Sequence, residues 1–334
     1  MKKRITLLLV IMIGVALAGC GALALSAAQA GVSIPAQMVR LMLPAVPMPA
    51  GDDPAALRAL VAQNRERGPA FPSEAFRAKY EVQQDQVNGE VVWTVRLRGD
   101  TVSPLRLLYM HGSAYVNEAL SLHWDIAEQL IDRTGATLVM PFYPLAPEHD
   151  WQPAYALMNT VLDQLVAEVG AGQVVIAGDS AGGGMALSLV QQRRDAEESL
   201  PAALVLFSPW LDVTLSDPAQ PALDEGDPIL SLESLRISGA WWAGDLAPTD
   251  PRISPLFGSL EGLPRMAVFT GTNDLLYPDA TRLAERAEDA GVDLTLYEYP
   301  NMFHVWMGVM PQMMPEASRA LDEAAAFIQG TKDA

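Results

Sequence analysis

The sequence offers little that could hold a metal ion or form a disulfide bond. Its 334 residues contain one cysteine, Cys20, so neither an internal disulfide bond nor a cysteine-ligated metal centre can form within them. The four histidines are far apart and show no zinc-ligand spacing: His111, His123, His149 and His304. The sequence therefore predicts no metal site.

Positive charge is also scarce. The sequence contains 22 Lys and Arg residues and 40 Asp and Glu residues, which gives a formal net charge of −18. An excess of this size argues against nucleic acid, and against an anionic membrane surface, as a partner. Half of the residues are hydrophobic and 19% are charged, which is typical of a globular protein. A chain of this length can bury a large core.

The one long apolar run lies at the start of the chain. Lys2, Lys3 and Arg4 precede an apolar stretch at 5–18, and Leu17-Ala18-Gly19-Cys20 follows. This order is typical of an export signal, and the tetrad resembles a bacterial lipobox, which predicts lipidation at Cys20 and an exported, membrane-anchored protein. Two alternatives remain open. Cleavage after 28–30 would release a soluble secreted product, and an uncleaved apolar stretch would serve as a single-helix anchor.

The next residues show helix signals and then a hairpin signal. Apolar residues recur at helical spacing in 34–43, and a proline-rich break ends this pattern at 44–49. Asp53 and Pro54 are typical of a helix start, with the helix running to about residue 67. Alternating segments at 79–87 and 90–98 flank Asn88-Gly89, which predicts a two-residue hairpin.

From residue 105 onward, predicted strands alternate with predicted helices. The strands are expected at 105–110, 137–140, 174–177, 202–207, 266–270 and 293–299. The helices between and after them are expected at 122–133, 154–169, 185–194, 279–290 and 315–328. The strand pattern disappears between 212 and 255, where one helix is expected at 232–242. The alternation predicts a mainly parallel sheet flanked by helices, with the hairpin as its antiparallel edge.

The strand at 174–177 leads into Gly178-x-Ser180-x-Gly182, and a helix follows. Strand, Gly-x-Ser-x-Gly and helix is the context of a nucleophile elbow, in which small residues leave room for a serine on a tight turn. The sequence therefore predicts Ser180 as a nucleophile.

A nucleophilic serine needs a base, and the base needs an acid to orient it. The last two predicted strands are followed by Asp274 and His304, and His304 is the only histidine after the elbow. The order Ser180, Asp274, His304 matches the order in α/β-hydrolases. Asp274 could instead only cap the next helix. Asp279 is a rival acid, although its place after Pro278 is too far along the chain.

The predicted strand ending at Met110 runs into a loop of small residues, HGSAY at 111–115. Backbone N–H groups of such a loop, together with one from the residue after the nucleophile, can stabilise an oxyanion. The predicted oxyanion hole comprises Gly112, Ser113, Ala114 and Ala181. His111 is interpreted as an organiser of this loop rather than as a base.

Four blocks together resemble the bacterial hormone-sensitive-lipase-like family of α/β-hydrolases: HGSAY at 111–115, YPLAPEH at 143–149, GDSAGG at 178–183, and Asp274 with Phe303-His304. The resemblance covers about residues 75–330. It implies an α/β-hydrolase fold, hydrolysis of small-molecule carboxylic esters and no cofactor. It also implies a helical cap, which here would comprise 31–75 and an insertion at about 212–250. The domain division is then 1–30 as signal or anchor, 31–75 as cap segment and 76–334 as catalytic domain.

The chain departs from the family where Ser113 and Ala114 replace two glycines, which is expected to crowd the acyl site and to disfavour bulky substrates. Short-to-medium acyl esters are expected. A lactonase or an acetyl-ester hydrolase would share the same catalytic residues, and only the lining of the cap would distinguish them. The candidate lining residues could equally be core residues: Trp210, Trp241, Trp242 and Met302. The alternative from another class is a membrane-tethered binding protein on a hydrolase scaffold. The oligomeric state stays open.

Overall fold

The computed structural model describes residues 21–43, 53–99 and 103–333. Residues 1–20 of the predicted signal or anchor, which include Cys20, and the proline-rich stretch at 44–49 lie outside the described residues. Among the described helices, none is by itself long and apolar enough to cross a membrane. Gly21–Ala30 and Ile34–Met42, bent by 96°, meet the length and composition criterion only as a pair.

The described residues form one eight-stranded sheet. Its strands are β1 (Tyr80–Val87), β2 (Glu90–Leu97), β3 (Arg106–Met110), β4 (Thr137–Pro141), β5 (Val174–Asp179), β6 (Ala203–Phe207), β7 (Arg265–Gly271) and β8 (Leu294–Tyr299). Their order across the sheet is β1-β2-β4-β3-β5-β6-β7-β8. β1 pairs antiparallel with β2, and β2 pairs antiparallel with β4, whereas every later pair is parallel. The predicted parallel sheet with an antiparallel hairpin at its edge is confirmed.

The hairpin turn has the backbone that its sequence predicts. Val87 pairs with Glu90, so Asn88 and Gly89 alone form the loop. Their φ angles are 53° and 89°. A two-residue turn with both φ angles positive matches the right-handed twist of the strands, and Asn-Gly adopts it with little strain.

Eleven α-helices are present in the described ranges. They are α1 (Gly21–Ala30), α2 (Ile34–Met42), α3 (Pro54–Arg65), α4 (Glu74–Lys79), α5 (Ser121–Thr134), α6 (Trp151–Val169), α7 (Ala181–Asp195), α8 (Gln220–Asp224), α9 (Leu232–Ala243), α10 (Tyr277–Asp289) and α11 (Pro315–Gln329). The sequence did not predict α4 or α8, which have six and five residues and are too short to show a periodic pattern. α6 begins three residues before its prediction because Asp150 Oδ1 accepts the N–H of Gln152 and caps it there.

Helices pack on both faces of the sheet, so its central strands are buried on both sides. Every residue of β3, β5 and β6 is buried. α6, α7, α9 and α10 share one apolar core with alternate strand residues, and α5 and α11 share the other core with the remaining strand residues. This architecture holds the carboxyl ends of the parallel strands rigidly at one edge, where loops can carry chemistry.

Candidate active site

Ser180 lies on the tight turn between β5 and α7. Its φ and ψ angles are 52° and −121°, a backbone conformation that non-glycine residues rarely adopt. A side chain at position 178 would collide with the carbonyl of Gly182, and one at position 182 would collide with the carbonyl of Met110. The two glycines of the Gly-x-Ser-x-Gly motif therefore allow the turn to pack this closely. The Ser180 N–H donates to the Phe207 carbonyl at 2.9 Å, which fixes the turn on β6.

The predicted acid and base lie together. His304 Nδ1 lies 3.0 Å from Asp274 Oδ2 and 3.1 Å from Oδ1. Asp274 is fully buried, and its Oδ1 also accepts the Leu276 N–H at 2.9 Å. The rival acid, Asp279, instead accepts the N–H groups of Leu211 and Asp212. The structure thus places Asp274, not Asp279, against the imidazole.

Two opposing effects set the pKa of His304. Burial alone would lower this pKa, but the charge of Asp274 and its hydrogen bond, with Asp227 and Asp179 nearby, raise it above its ordinary value of 6.5. Because Nδ1 is engaged with Asp274, Nε2 is the ring nitrogen available to accept a proton.

Ser180, Asp274 and His304 follow β5, β7 and β8, so all three lie at the carboxyl edge of the same sheet. β6 lies between the first two of these strands and ties their loops together. The Ser208 N–H donates to the Phe269 carbonyl of β7 at 2.7 Å, and Ser208 Oγ accepts the Val305 N–H at 3.1 Å. The loop that carries His304 is therefore bonded directly to the end of β6.

The predicted oxyanion loop has an unusual backbone. Ser113, Ala114 and Tyr115 all have positive φ angles, of 81°, 57° and 64°. None of the hydrogen bonds of the described residues uses the N–H of Ser113 or Ala114, and Ala181 is the first residue of α7, whose N–H has no intrahelical acceptor.

Gly112 requires a correction. The residue was predicted to be part of the oxyanion hole, but its N–H donates to Asp179 Oδ1 at 3.1 Å. A side chain at position 112 would also collide with Asp179 and crowd Ser180. Gly112 therefore lets the loop pack closely against the nucleophile turn, and Ser113, Ala114 and Ala181 remain as candidate donors.

Sequence reasoning missed the buried network behind the nucleophile. Asp179 Oδ1 also accepts the Tyr109 hydroxyl at 2.7 Å, and its Oδ2 lies 3.4 Å from His123 Nε2. Nδ1 of His123 accepts the Leu120 N–H at 2.8 Å, so Nε2 carries the proton that faces Asp179. Burial alone would raise the pKa of Asp179, but His123 and Tyr109 lower it. The available signal was an aspartate at the end of an apolar strand, since a buried carboxylate needs partners.

His111 has the surroundings of a loop organiser. Its Nδ1 lies 2.9 Å from the Gly112 carbonyl, and its ring stacks on Tyr143 with centroids 4.4 Å apart. Burial lowers its pKa to about 3, so the ring is neutral at physiological pH. The Tyr143 hydroxyl, from the second motif block, donates to the His111 carbonyl at 2.7 Å. Tyr143 of the second motif block therefore supports the oxyanion loop through its contacts with His111.

Three of the four candidate lining residues are core residues. Trp210, Trp242 and Met302 are fully buried, and both indole rings stack on Tyr115, that of Trp242 at 4.2 Å between centroids. Trp241 is only partly buried, and the Arg58 guanidinium lies 5.2 Å from its ring centroid. No group of three or more His, Cys, Asp or Glu side chains in the described ranges could hold a metal ion.

Comparison with known proteins agrees with this geometry. The profile of a family described as alpha/beta hydrolase fold matches residues 107–308. An acetyl-hydrolase of Streptomyces hygroscopicus is 34% identical over 248 residues, which cover 72% of this chain and 82% of that protein. An esterase of Acinetobacter venetianus RAG-1 is 33% identical over 223 residues, which cover 66% and 73% of the two chains.

Solved structures give the same result over more of the chain. The crystal structure of an esterase from the bacterial hormone-sensitive lipase family superposes with a TM-score of 0.77 at 26% identity, and covers 90% of this chain and 98% of that one. A hormone-sensitive lipase from a metagenome library superposes with a TM-score of 0.75 at 28% identity, and covers 88% and 96%. The chain therefore belongs to the α/β-hydrolase family, in its hormone-sensitive-lipase-like group, and is an ester-hydrolysing enzyme.

Proposed function

We propose that this protein hydrolyses short-to-medium acyl carboxylic esters through a Ser180 acyl-enzyme. The observation that carries this proposal is the buried Asp274–His304 pair, whose bonded atoms lie 3.0 Å apart at the sheet edge that also carries Ser180. A serine nucleophile on a strained turn and an imidazole oriented by a carboxylate, held at one edge of the sheet, are the groups that acyl transfer requires.

In the proposed mechanism, Nε2 of His304 takes the proton of Ser180 as Oγ attacks the ester carbonyl. Asp274 keeps the imidazole in the tautomer with its proton on Nδ1 and stabilises the imidazolium. The N–H groups of Ser113, Ala114 and Ala181 stabilise the oxyanion of the tetrahedral intermediate. His304 then protonates the leaving alcohol. Water attacks the acyl-enzyme with His304 again acting as the base, which releases the acid and restores Ser180.

We propose a preference for small acyl groups, and two observations support it. Ser113 and Ala114 put Cβ atoms on a loop whose positive φ angles suit glycine, so the loop carries bulk that glycines would lack. A relative at 34% identity is named an acetyl-hydrolase. Each extra methylene that does not fit such a site costs about 1–3 kcal/mol of discrimination.

The test is a chain-length series of p-nitrophenyl esters on the full chain in a non-ionic detergent. Wild type is compared with Ser180→Ala and with the matched control Ser188→Ala. Ser188 is a buried serine of α7 whose hydroxyl donates to the Arg252 carbonyl at 3.0 Å, and it is placed in no catalytic role. We expect wild type and Ser188→Ala to hydrolyse acetate and butyrate esters fastest, and Ser180→Ala to be inactive.

Two other results would redirect the proposal. A folded wild-type protein that hydrolyses lactones but none of these esters would indicate a lactonase with the same residues. A folded protein inactive on both would indicate the binding-protein alternative. Turnover retained by Ser180→Ala would remove the serine mechanism altogether.

We further propose that residues 31–75 and the insertion at 212–250 form a cap over the catalytic domain of 76–334. The insertion carries α8 and α9 and no strand. Leu57 and Val61 of α3 share an apolar core with α9, and Arg58 lies over the ring of Trp241. These contacts join the two cap segments to each other. Limited proteolysis that removes 31–75 while substrate selectivity is unchanged would contradict the division.

We propose an exported protein that is anchored to the membrane by lipidated Cys20, which becomes the mature N-terminus once residues 1–19 are removed. The sequence at 17–20 supports this, and so does the outward face of α2. Ile34, Met38, Leu41 and Met42 lie on one face of that helix, and all four are exposed. Intact mass of the membrane fraction from an expressing bacterium tests the proposal. The expected mass is that of residues 20–334 plus the lipid, and this species should be absent in Cys20→Ser. Cleavage after Ala30, or an unmodified full-length chain, would contradict the proposal.

A further inference from the structure

The cap insertion places a second carboxylate beside the acid of the candidate triad. Asp227 Oδ2 accepts the N–H of Leu275, the residue after Asp274, at 2.8 Å. Its Oδ1 accepts the N–H groups of Ile229 and Leu230 at 2.8 and 2.9 Å. One side chain therefore closes a turn of the insertion and bonds that turn to the loop that carries Asp274. The proposed mechanism assigns Asp227 no role.

We propose that Asp227 is a positioning residue of the esterase reaction, which fixes the Asp274 loop and adds a second negative charge that favours the imidazolium form of His304. The proposal rests on the serine esterase function proposed above. Asp227 acts through His304 and Leu275 and does not need to touch the substrate. Because its bonds come from the insertion, it also joins the position of the cap to the geometry of the triad.

The charges around His304 support this role. Three carboxylates contribute negative charge near the imidazole: Asp274 from the loop after β7, Asp227 from the insertion and Asp179 from the end of β5. Of these, Asp274 also bonds to the ring directly. All three carboxylates favour its charged form. Burial and the neighbouring Asp274 raise the pKa of Asp227 to about 6, whereas His304 and the bonds from Leu230 and Leu275 oppose this rise. Asp227 is therefore ionised at the higher pH values, above 6.5, at which neutral His304 acts as a base.

The sign of the expected effect follows from this arrangement. Removing the charge of Asp227 destabilises the imidazolium, so the pKa of His304 falls and the acid limb of kcat/KM moves to lower pH. The same loss makes proton transfer from Ser180 less favourable in the transition state, so kcat falls on the pH plateau. KM should change little, because the charge acts on the transition state rather than on substrate binding.

Asp224 provides a matched control in the same insertion. Its Oδ1 accepts the Leu232 N–H at 2.7 Å and so fixes the start of α9, a purely structural bond. The experiment measures kcat and kcat/KM for p-nitrophenyl acetate between about pH 5 and pH 9 for wild type, Asp227→Asn and Asp224→Asn. For Asp227→Asn we expect the acid limb to move down by about half a pH unit or more, with kcat about threefold or more below wild type. For Asp224→Asn we expect the acid limb of kcat/KM at the same pH as in wild type.

The outcomes separate this proposal from the function on which it rests. An unshifted acid limb in Asp227→Asn, with wild type active, would overturn the proposal and leave only a structural bond, whatever happens to kcat. If Asp227→Asn does not fold, Asp227→Ser replaces it, since serine keeps an oxygen acceptor without charge, and the same shift is required. A folded wild type that hydrolyses no ester would overturn the esterase function first.

Discussion

His304 combines burial, which opposes its charge, with three carboxylates that favour it. We predict that the acid limb of kcat/KM has its midpoint above pH 6.5, because the base must be neutral and its pKa is raised. Activity therefore falls as the pH drops through this raised pKa. Initial rates on p-nitrophenyl acetate across the pH range measure the midpoint. A midpoint clearly below 6.5 would mean that burial outweighs the carboxylates.

Substitution of Asp274 and substitution of Asp279 should have different effects on activity. Asp274→Asn should reduce kcat by about 10⁴-fold, because the amide cannot hold the imidazole in the required tautomer. Asp279→Asn should keep most activity per folded molecule, because its carboxylate bonds only to Leu211 and Asp212 backbone and to the Gln220 side chain. Measuring kcat of both variants, normalised to folded protein, shows which aspartate is the acid of the triad. A larger loss of kcat in Asp279→Asn than in Asp274→Asn would assign that role to Asp279 instead.

The oxyanion loop should respond to backbone strain. Ala114 has a φ of 57°, where a Cβ costs about 1–2 kcal/mol. Ala114→Gly should thus be neutral or raise the free energy of unfolding by up to about 1 kcal/mol, and the β-branched Ala114→Val should lower it by more than about 1 kcal/mol. Ala156→Gly, on an exposed position of α6, should be destabilising by about 1 kcal/mol.

Urea unfolding of the three variants measures these changes. The change in the free energy of unfolding caused by Ala→Gly should have opposite signs, or at least clearly different sizes, at positions 114 and 156. Equal destabilisation at both would mean that the loop is not strained by its side chains, and would remove the physical reason for a small acyl site.

At the scale of elements, the β5–α7 turn depends on its glycines. Gly182→Ala should lower the free energy of unfolding by about 3 kcal/mol, because the added Cβ meets the rigid carbonyl of Met110 in β3. Gly172→Ala is the control, since nothing lies within 4 Å of a Cβ built there. Urea midpoints compare the two. A small loss of stability in Gly182→Ala, similar to that in Gly172→Ala, would show that β3 and α7 can move apart.

The order of elements was predictable because each signal is local. Asn88-Gly89, the apolar strands and Gly178-x-Ser180-x-Gly182 each specify their own backbone, and the alternation of strands and helices then specifies a parallel sheet. Asp274 and His304 come together at the carboxyl edge of that sheet. Their order in the chain after Ser180 had predicted this pairing.

What the sequence did not predict depends on side-chain partners distant in the chain. Asp179 contacts Tyr109 of β3 and His123 of α5, and it also accepts the N–H of Gly112, a residue predicted to belong to the oxyanion hole. Asp227 meets the backbone of residue 275 across 48 positions. No spacing rule reports such pairs, because they exist only once the elements have packed.

For the whole molecule, the net charge of −18 is the dominant electrostatic feature. Like charges repel more in the compact state, so raising NaCl from about 0.01 M to about 0.15 M should raise the melting temperature as the repulsion is screened. Exposed ion pairs such as Lys79–Asp132, at 2.5 Å, each contribute little to stability, so their screening should not reverse this trend. Thermal melts in chloride salt measure the trend, and a falling melting temperature would contradict it.

The central claim is that Ser180 forms a covalent acyl intermediate in an active site built from the sheet edge. The most direct measurement is reaction of the full chain with an organophosphate p-nitrophenyl ester, followed by mass spectrometry of the digested protein. The account predicts one phosphoryl adduct on the peptide that contains Ser180, loss of esterase activity in proportion to labelling, and no adduct in Ser180→Ala. An adduct on another residue, or complete labelling with activity retained, would contradict the account.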